Sequence, residues 1–490
     1  MLLLAPPLLV GAWGLAPGWM AIPIAVVAAV PIFIWLRARE RQLQSRSVSP
    51  RWMLLWCALT LAATVQLGRV GIFVVAPAKA GFAALPHADS WALYHVCFTG
   101  YTEAARLAFE RRVNIYDPAN YEAGGQSRRI GLLVVDEYEY PPPFLPLPAA
   151  LSAITGNDLM RARALFYGAQ AILVVLVMIA VAMRLAPAAR LTAWMLIPGV
   201  VAAFQTIVGM QYGNFQSGAF ALAVAGMLAL TRPGRGFGAA ALAFAAASKL
   251  FPGLLVALLV GGRRYRAAAL AAVWMAVFAM LSLAMFGTRP WIDFVTYQLP
   301  AISSGSGFAW SELPFLIPTN YGISGAVLKA GALGLPGVSY ARAMQTASIY
   351  GLIVTGLAVF AAWRLWRANE QDAAPAGGPM TWLALLNLAS FRSPYVADAQ
   401  ATMGTLWLLS LVIAARRPRG WRLALAVIAW IGWALTFEGI APHDPSIPLL
   451  IVTLVLQLGA LAFNAGVLFL ALPRNFHHAA DDPTEAVRAE

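Results

Sequence analysis

The chain carries a succession of apolar stretches long enough to cross a bilayer, and that removes most folds open to it. A hydrocarbon core about 30 Å thick needs roughly 20 apolar residues in helical form. Stretches of that kind fall at 20–36, 52–76, 163–183, 191–209, 214–231, 267–287, 343–363, 398–415, 422–440 and 447–472. In hydrocarbon every backbone polar group must be satisfied internally, which leaves helices or closed barrels. The runs are unbroken and do not alternate, so helices are expected. Charged residues make up 11% of the chain, against about 25% in soluble domains, which places it outside the soluble class. Shorter apolar pieces lie near 2–16, 143–156, 236–260 and 380–391, with Pro143, Pro146 and Pro148 interrupting one and Pro252 another. Broken segments are tolerated only where they face protein or a water-filled cavity. The expectation is an all-α polytopic membrane protein of roughly 10–13 helices, some short or re-entrant.

The net charge of +13 raises the question of nucleic acid, and the placement of the charges answers it. Arginines gather in short clusters between apolar runs: Arg37, Arg39 and Arg41; Arg232 and Arg235; Arg263, Arg264 and Arg266; Arg364 and Arg367; Arg416, Arg417 and Arg419. That is the positive-inside pattern, and no aromatic-interleaved basic patch suited to nucleic acid accompanies it. Residues 37–51, 261–266, 364–372 and 416–421 are therefore expected in the cytoplasm, and 77–141, 288–322 and 441–446 outside. Arg184 and Arg190 fall inside only if 143–156 is re-entrant, and it is read so. Residues 1–473 form one multi-pass domain, and the polar tail 474–490 is expected to be disordered. The N-terminus lacks a basic n-region, so the first apolar segment is expected to be retained. Cys57 and Cys97 have no metal-ligand spacing, and Cys57 lies in an expected span.

The longest polar stretch, 77–141, holds Asp89, Glu103, Glu110, Asp117, Asp136, Glu137 and Glu139. Loops this long are uncommon unless functional or disordered. The periodic stretch from Trp91 to Phe109 points to ordered helices at the membrane interface.

Five groups could carry chemistry. Asp89, just beyond a span, could serve as a general base; before Ser-Trp-Ala-Leu it is equally a good helix N-cap. His87 and His95 flank it and could tune it or bind phosphate. In the run DEYEYPPP, Glu137 and Glu139 could hold a metal or a sugar, or simply be solvated, while Tyr140-Pro141-Pro142 fixes an extended approach to the membrane. Gln211 and Asn214 sit at the mouth of an apolar helix, where buried amides either line a cavity or bond between helices. Lys249 lies midway along a broken apolar stretch, where a buried ammonium needs an anionic partner, and a lipid phosphate would serve. Arg392 could clamp a phosphate or pair with Asp398.

The order of these features along the chain is more specific than any of them singly. Asp89 is followed by Tyr94, then Asn114-Ile115-Tyr116-Asp117-Pro118, the Tyr140-Pro141-Pro142 return, the altered Gly209-Met210-Gln211-Tyr212-Gly213-Asn214 helix start, Lys249 with Pro252, and Ser393-Pro394. Over about residues 85–400 this succession resembles the glycosyltransferases of family 87, enzymes of the GT-C membrane fold. The resemblance implies an inverting transfer of a hexose, mannose in the best-known members, from a polyprenyl phosphate to a lipid or glycan acceptor. The reaction would take place on the outer face of the cytoplasmic membrane. It implies Asp89 as base, Lys249 and Arg392 toward the donor phosphate, and His87, Tyr94, Glu137, Tyr140, Gln211 and Asn214 lining the cavity. No cofactor and no metal are expected; the expected partners are the lipid-linked donor, the acceptor and membrane lipids. Many members carry a histidine-rich stretch after the late Ser-Pro, whereas here Tyr395-Val396-Ala397-Asp398 follows, leaving sugar and acceptor open. A secondary transporter would share the broken helices, but matching interruptions in paired halves are not evident. A polysaccharide polymerase or flippase is the other alternative.

Overall fold

The computed structural model describes residues 1–40, 42–43, 49–110, 113–231, 236–368, 377–435 and 445–472. Arg41, Arg232, Arg235, residues 369–372 and 441–444, and the tail from Arg474 lie outside the described residues. The protein is an all-α polytopic bundle. Among the described residues, seven helices are long and apolar enough to cross a membrane: Gly18–Glu40, Pro50–Val75, Leu159–Ala182, Tyr265–Phe286, Tyr340–Ala368, Asp398–Arg416 and Ile447–Ala471. An eighth span is the pair Pro187–Ala202 and Phe204–Tyr212, bent by 56° at Ala203. Shorter apolar helices, including Gln216–Leu230, Phe237–Lys249 and Trp421–Ala434, pack between them. The Asp398–Arg416 window is 78% buried inside the protein and the Gly18–Glu40 window 11%. The first is thus central and the second peripheral, its exposed Ile22, Val26 and Val27 facing outward as lipid contact requires.

The two ends of the bundle differ chemically. At one end the arginines collect: the Arg263 guanidinium lies 5.0 Å from the Trp366 ring centroid, and Arg184 donates to the Leu228 carbonyl at 3.2 Å. Arg417 donates to the Ala188 carbonyl there, and Arg37 lines a cleft with Trp194. At the other end Arg163 donates to the Val74 carbonyl at 3.0 Å, and Phe109 meets Phe286 at 4.7 Å. Val74 ends one span and Arg163 begins the next, so everything between them stays at that end. The intervening Pro146–Ile154 helix has 9 residues, only about 14 Å of rise, and turns back without crossing. This is how Arg184 reaches the arginine end.

A second device lies at residues 237–261. Phe237–Lys249 climbs from the arginine end against Gln216–Leu230 so closely that a Cβ on Gly226 would stand 2.7 Å from the Gly238 carbonyl, the small-residue contact typical of membrane helices. Leu250 then adopts φ +52°, Pro252 follows, and the chain returns to Gly261, packed on the Ala362 backbone. The result is a hairpin whose apex, Lys249 to Gly253, points toward the polar end.

The segment 77–141 is only partly helical. Ser90–Tyr94 and Cys97–Glu110 form the helices that the periodicity from Trp91 to Phe109 indicates. Between them His95–Val96 pairs in parallel with Leu133–Val135, which also pairs antiparallel with Arg129–Ile130. A separate hairpin joins Glu122–Ala123 to Gln126–Ser127 through Gly124 and Gly125, both at positive φ, as a two-residue turn requires. The expected helical loop is therefore corrected: its second half is strand and turn.

Candidate active site

The polar end gathers side chains from four parts of the chain. Asp89 is exposed, and its Oδ1 accepts from the backbone amides of Trp91 at 2.7 Å and Ala92 at 3.0 Å. It is a helix N-cap, and among the described residues its Oδ2 carries no hydrogen bond, so capping and proton acceptance are compatible. His87 is exposed on the preceding turn. Tyr94 packs on Phe73 with ring centroids 6.2 Å apart.

Gln211 explains how the Asp89 segment is held. Its Oε1 accepts from the Ala84 amide and its Nε2 donates to the Leu93 carbonyl at 3.3 Å. Both ends of its amide are thus spent on clipping residues 84–93 to the bundle, and Gln211 is 1% exposed. The cavity lining expected of it is replaced by this positioning contact. Asn214 is similarly engaged. Its Oδ1 accepts from the Gln216 amide at 2.9 Å and from the Tyr140 hydroxyl at 3.4 Å, and its Nδ2 donates to Cys97 Sγ at 3.4 Å. Tyr101 donates to the Tyr140 oxygen at 2.6 Å and accepts from the Phe215 amide at 3.2 Å. Tyr101, Tyr140 and Asn214 form one continuous polar chain through an otherwise apolar layer.

Lys249 ends the Phe237–Lys249 helix, where the negative end of the helix dipole favours a cation. Its Nζ lies 4.4 Å from the Tyr140 ring centroid, and it interacts electrostatically with Glu139, Cys97 and Asp136. The sequence placed it midway in a membrane stretch with a lipid phosphate as partner. The structure puts it at the hairpin apex, within electrostatic reach of the Glu139 and Asp136 carboxylates. Around it, burial and the charges of Asp136 and Glu122 push the Glu137 carboxyl up to about 7. Burial and the charges of Asp136 and Glu137 raise Glu139, with Lys249 opposing.

His95, Cys97 and Asp136 each offer a ligand atom within 4.8 Å of the others. His95 Nε2 lies 3.5 Å from Asp136 Oδ2 and 3.7 Å from Cys97 Sγ. Sequence reasoning noted His95 beside Asp89 but did not join it to Asp136, because only the register His95 to Val134 and Val96 to Val135 brings the two segments together. The His-x-Cys spacing was the available signal.

Arg392 stands elsewhere. Its side chain lies along Gly351 of the Tyr340–Ala368 helix, where a Cβ would approach Nε to 3.0 Å. Among the described residues no contact brings it to Lys249 or to His95. The Ser393-Pro394 turn beside it enters a second polar knot: Asn320 and Ser324 donate to the Pro394 carbonyl at 3.1 and 2.5 Å. Lys329, which the sequence did not single out, donates there to Asn320 O and Gln457 Oε1, both at 2.9 Å. It is 0% exposed, and its partners come from backbone and from a distant helix, which sequence spacing does not register.

A helical bundle with clusters of arginine at one end and a buried cluster of tyrosines, amides, carboxylates and one apical lysine at the other defines a polytopic membrane protein with a polar site built into its bundle. Which chemistry the site serves follows from comparison: the chain belongs to glycosyltransferase family 87, whose sequence profile matches residues 138–390, just over half of it. It is a membrane glycosyltransferase. The matched region takes in Glu139, Tyr140, Asn214 and Lys249, while Asp89 and Arg392 lie outside it. No curated protein and no solved structure matches the chain.

Proposed function

We propose that this protein transfers a hexose, mannose by family resemblance, from a polyprenyl phosphate to a lipid or glycan acceptor, with inversion. The reaction would run at the outer face of the cytoplasmic membrane, as the positive-inside placement of the arginines favours. The observation that carries the reading is the apex of the 237–261 hairpin, which lifts Lys249 into the polar cluster beside Tyr140. A lipid-linked donor brings its phosphate to membrane depth, so an ammonium is needed there rather than in a solvent-facing loop.

In this scheme the acceptor hydroxyl attacks the anomeric carbon as the bond from that carbon to the phosphate oxygen breaks. The hydroxyl proton passes to Asp89 Oδ2, and the departing polyprenyl phosphate takes the electron pair. Lys249 stabilises the charge developing on that phosphate, an interaction that strengthens as the bond breaks. The charges of Glu139 and Asp136 favour the ammonium before the donor arrives. Tyr140 and Asn214 belong to the same polar cluster, and His87 and Tyr94 lie on the acceptor side with Asp89. Arg392, on its separate support along Gly351, takes no part in this scheme beyond its expected attraction for the donor phosphate. The test is transfer from a radiolabelled polyprenyl-phosphate hexose by the purified protein. Wild type should form labelled product and Asp89→Asn should not; equal rates in the two would overturn the assignment of the base.

A further inference from the structure

The His95, Cys97 and Asp136 group has a geometry that the transfer reaction does not use. Two acidic or soft ligand atoms, Asp136 Oδ2 at 3.5 Å and Cys97 Sγ at 3.7 Å, converge on the same imidazole nitrogen, His95 Nε2. A nucleophile relay would engage the two ring nitrogens separately. Here Nδ1 is buried and has no hydrogen-bond partner among the described residues, so the polar contacts of the ring run through Nε2, while Trp91 and Tyr212 pack on its faces and edge. The two separations from His95 Nε2 match a tetrahedral zinc-type site, where metal-ligand bonds of about 2.0–2.3 Å place neighbouring ligand atoms about 3.3–3.8 Å apart, and all three ligand atoms lie within 4.8 Å of one another.

Two further observations agree. Asn214 Nδ2 donates to Cys97 Sγ at 3.4 Å, so the sulfur is met as an acceptor, as outer partners do for metal-bound thiolates. The charges of Asp136, Glu137 and Glu139 act against one another, with Lys249 opposing at Glu139, and a divalent cation beside Asp136 would offset that repulsion. The ligands are also held by paired backbone: His95 sits in the strand parallel to Leu133–Val135, Cys97 opens the next helix, and Asp136 follows the partner strand.

We propose that His95, Cys97 and Asp136 bind one divalent transition-metal ion of the zinc class, leaving a fourth coordination position for water or substrate oxygen. Mixed nitrogen, thiolate and carboxylate ligands favour zinc over magnesium or calcium. The site does not depend on the transfer scheme, and it would revise the expectation that no metal is bound.

The test uses the full chain purified in detergent in a Cys57→Ser, His477→Ala, His478→Ala background, which leaves Cys97 as the sole thiol and removes the paired tail histidines. After chelation, Co²⁺ is titrated in and absorbance read. The expected result is saturation at one equivalent, with thiolate-to-cobalt charge transfer and intense tetrahedral ligand-field bands, both abolished by added Zn²⁺. Cys97→Ser should remove the charge-transfer band, and His95→Ala or Asp136→Asn should weaken binding by at least about tenfold. Absence of any saturable spectrum in the background protein, or a charge-transfer band that survives Cys97→Ser, would overturn the proposal. No donor is added, so the outcome is independent of whether sugar is transferred.

Discussion

Lys249 holds its ammonium nitrogen 4.4 Å from the centroid of the Tyr140 ring, and the two residues reach that meeting point from opposite ends of the bundle. Lys249 arrives at the top of a hairpin rooted at the arginine end, and Tyr140 comes from the 77–141 segment just before Pro142–Phe144. A desolvated cation over an aromatic face is worth about 2 kcal/mol, and the phosphate contact proposed for it adds a charge-assisted hydrogen bond of about 1.5–3 kcal/mol. Lys249→Met should therefore raise the KM for the lipid-linked donor by roughly 10- to 100-fold. The KM for the acceptor should move little. Equal changes in both would make Lys249 a packing residue. Tyr140→Phe keeps the ring and should leave donor binding closer to wild type.

The Asp89 cap and the Asp89 base can be separated by choosing the substitution. Asparagine caps helices as well as aspartate, whereas alanine forfeits about 1 kcal/mol. Asp89→Asn should thus retain the wild-type melting temperature while losing transfer by about 10²- to 10⁴-fold, the usual contribution of a general base. Asp89→Ala should lose both. If Asp89→Asn were fully active, the cap would be the residue's whole role.

Gln211 offers a test of positioning. Its two backbone contacts, to Ala84 and Leu93, flank Asp89 on either side. Gln211→Leu leaves a buried amide and carbonyl unsatisfied, at about 1–3 kcal/mol each, and frees the segment that carries the base. The expected result is a fall in kcat with donor KM unchanged, together with faster proteolysis between residues 77 and 93. A fall in donor affinity instead would return Gln211 to the cavity wall.

Glu103 carries a pH dependence whose direction can be stated. Burial alone would raise its carboxyl, but hydrogen bonds from Arg106 and Arg128 outweigh burial and hold it below its ordinary value of 4.5. A carboxylate depressed in the folded state stabilises the fold above its unfolded value, and that stabilisation is lost as pH falls through the folded value. Glu103→Gln should melt below wild type at pH 7. The gap should close as pH falls below about 4.5, read by thermal unfolding of the purified protein. A gap independent of pH would mean that packing, not charge, is what the substitution removes.

The sequence was most informative where hydrophobic length is the whole signal. The apolar stretches 52–76, 267–287 and 398–415 correspond to the helices Pro50–Val75, Tyr265–Phe286 and Asp398–Arg416. The 191–209 stretch read as one straight span, but it is bent by 56° at Ala203, and a bend leaves no mark on hydrophobicity. The strands of the 77–141 segment have two or three residues each, too few for alternation to register. In the site, Asp89 was visible because capping is local, and Lys249 because a lone cation in an apolar run is conspicuous. The His95, Cys97 and Asp136 group, and the Lys329 knot with Asn320 and Gln457, depend on contacts between distant segments. Beyond the His95-x-Cys97 spacing, nothing local encodes those.

The hairpin at 237–261 also settles a matter of parity. Both of its feet stand at the arginine end, near Gly238 and at Gly261, so it adds nothing to the alternation of sides along the chain. Every segment after Arg263 keeps the sidedness it would have had without the hairpin. The element that delivers Lys249 to Tyr140 can be inserted, lengthened or tilted during biogenesis without reversing any later helix. A sidedness tag at residue 336 should report the same face in the wild type and in a chain with 237–261 replaced by a short polar linker.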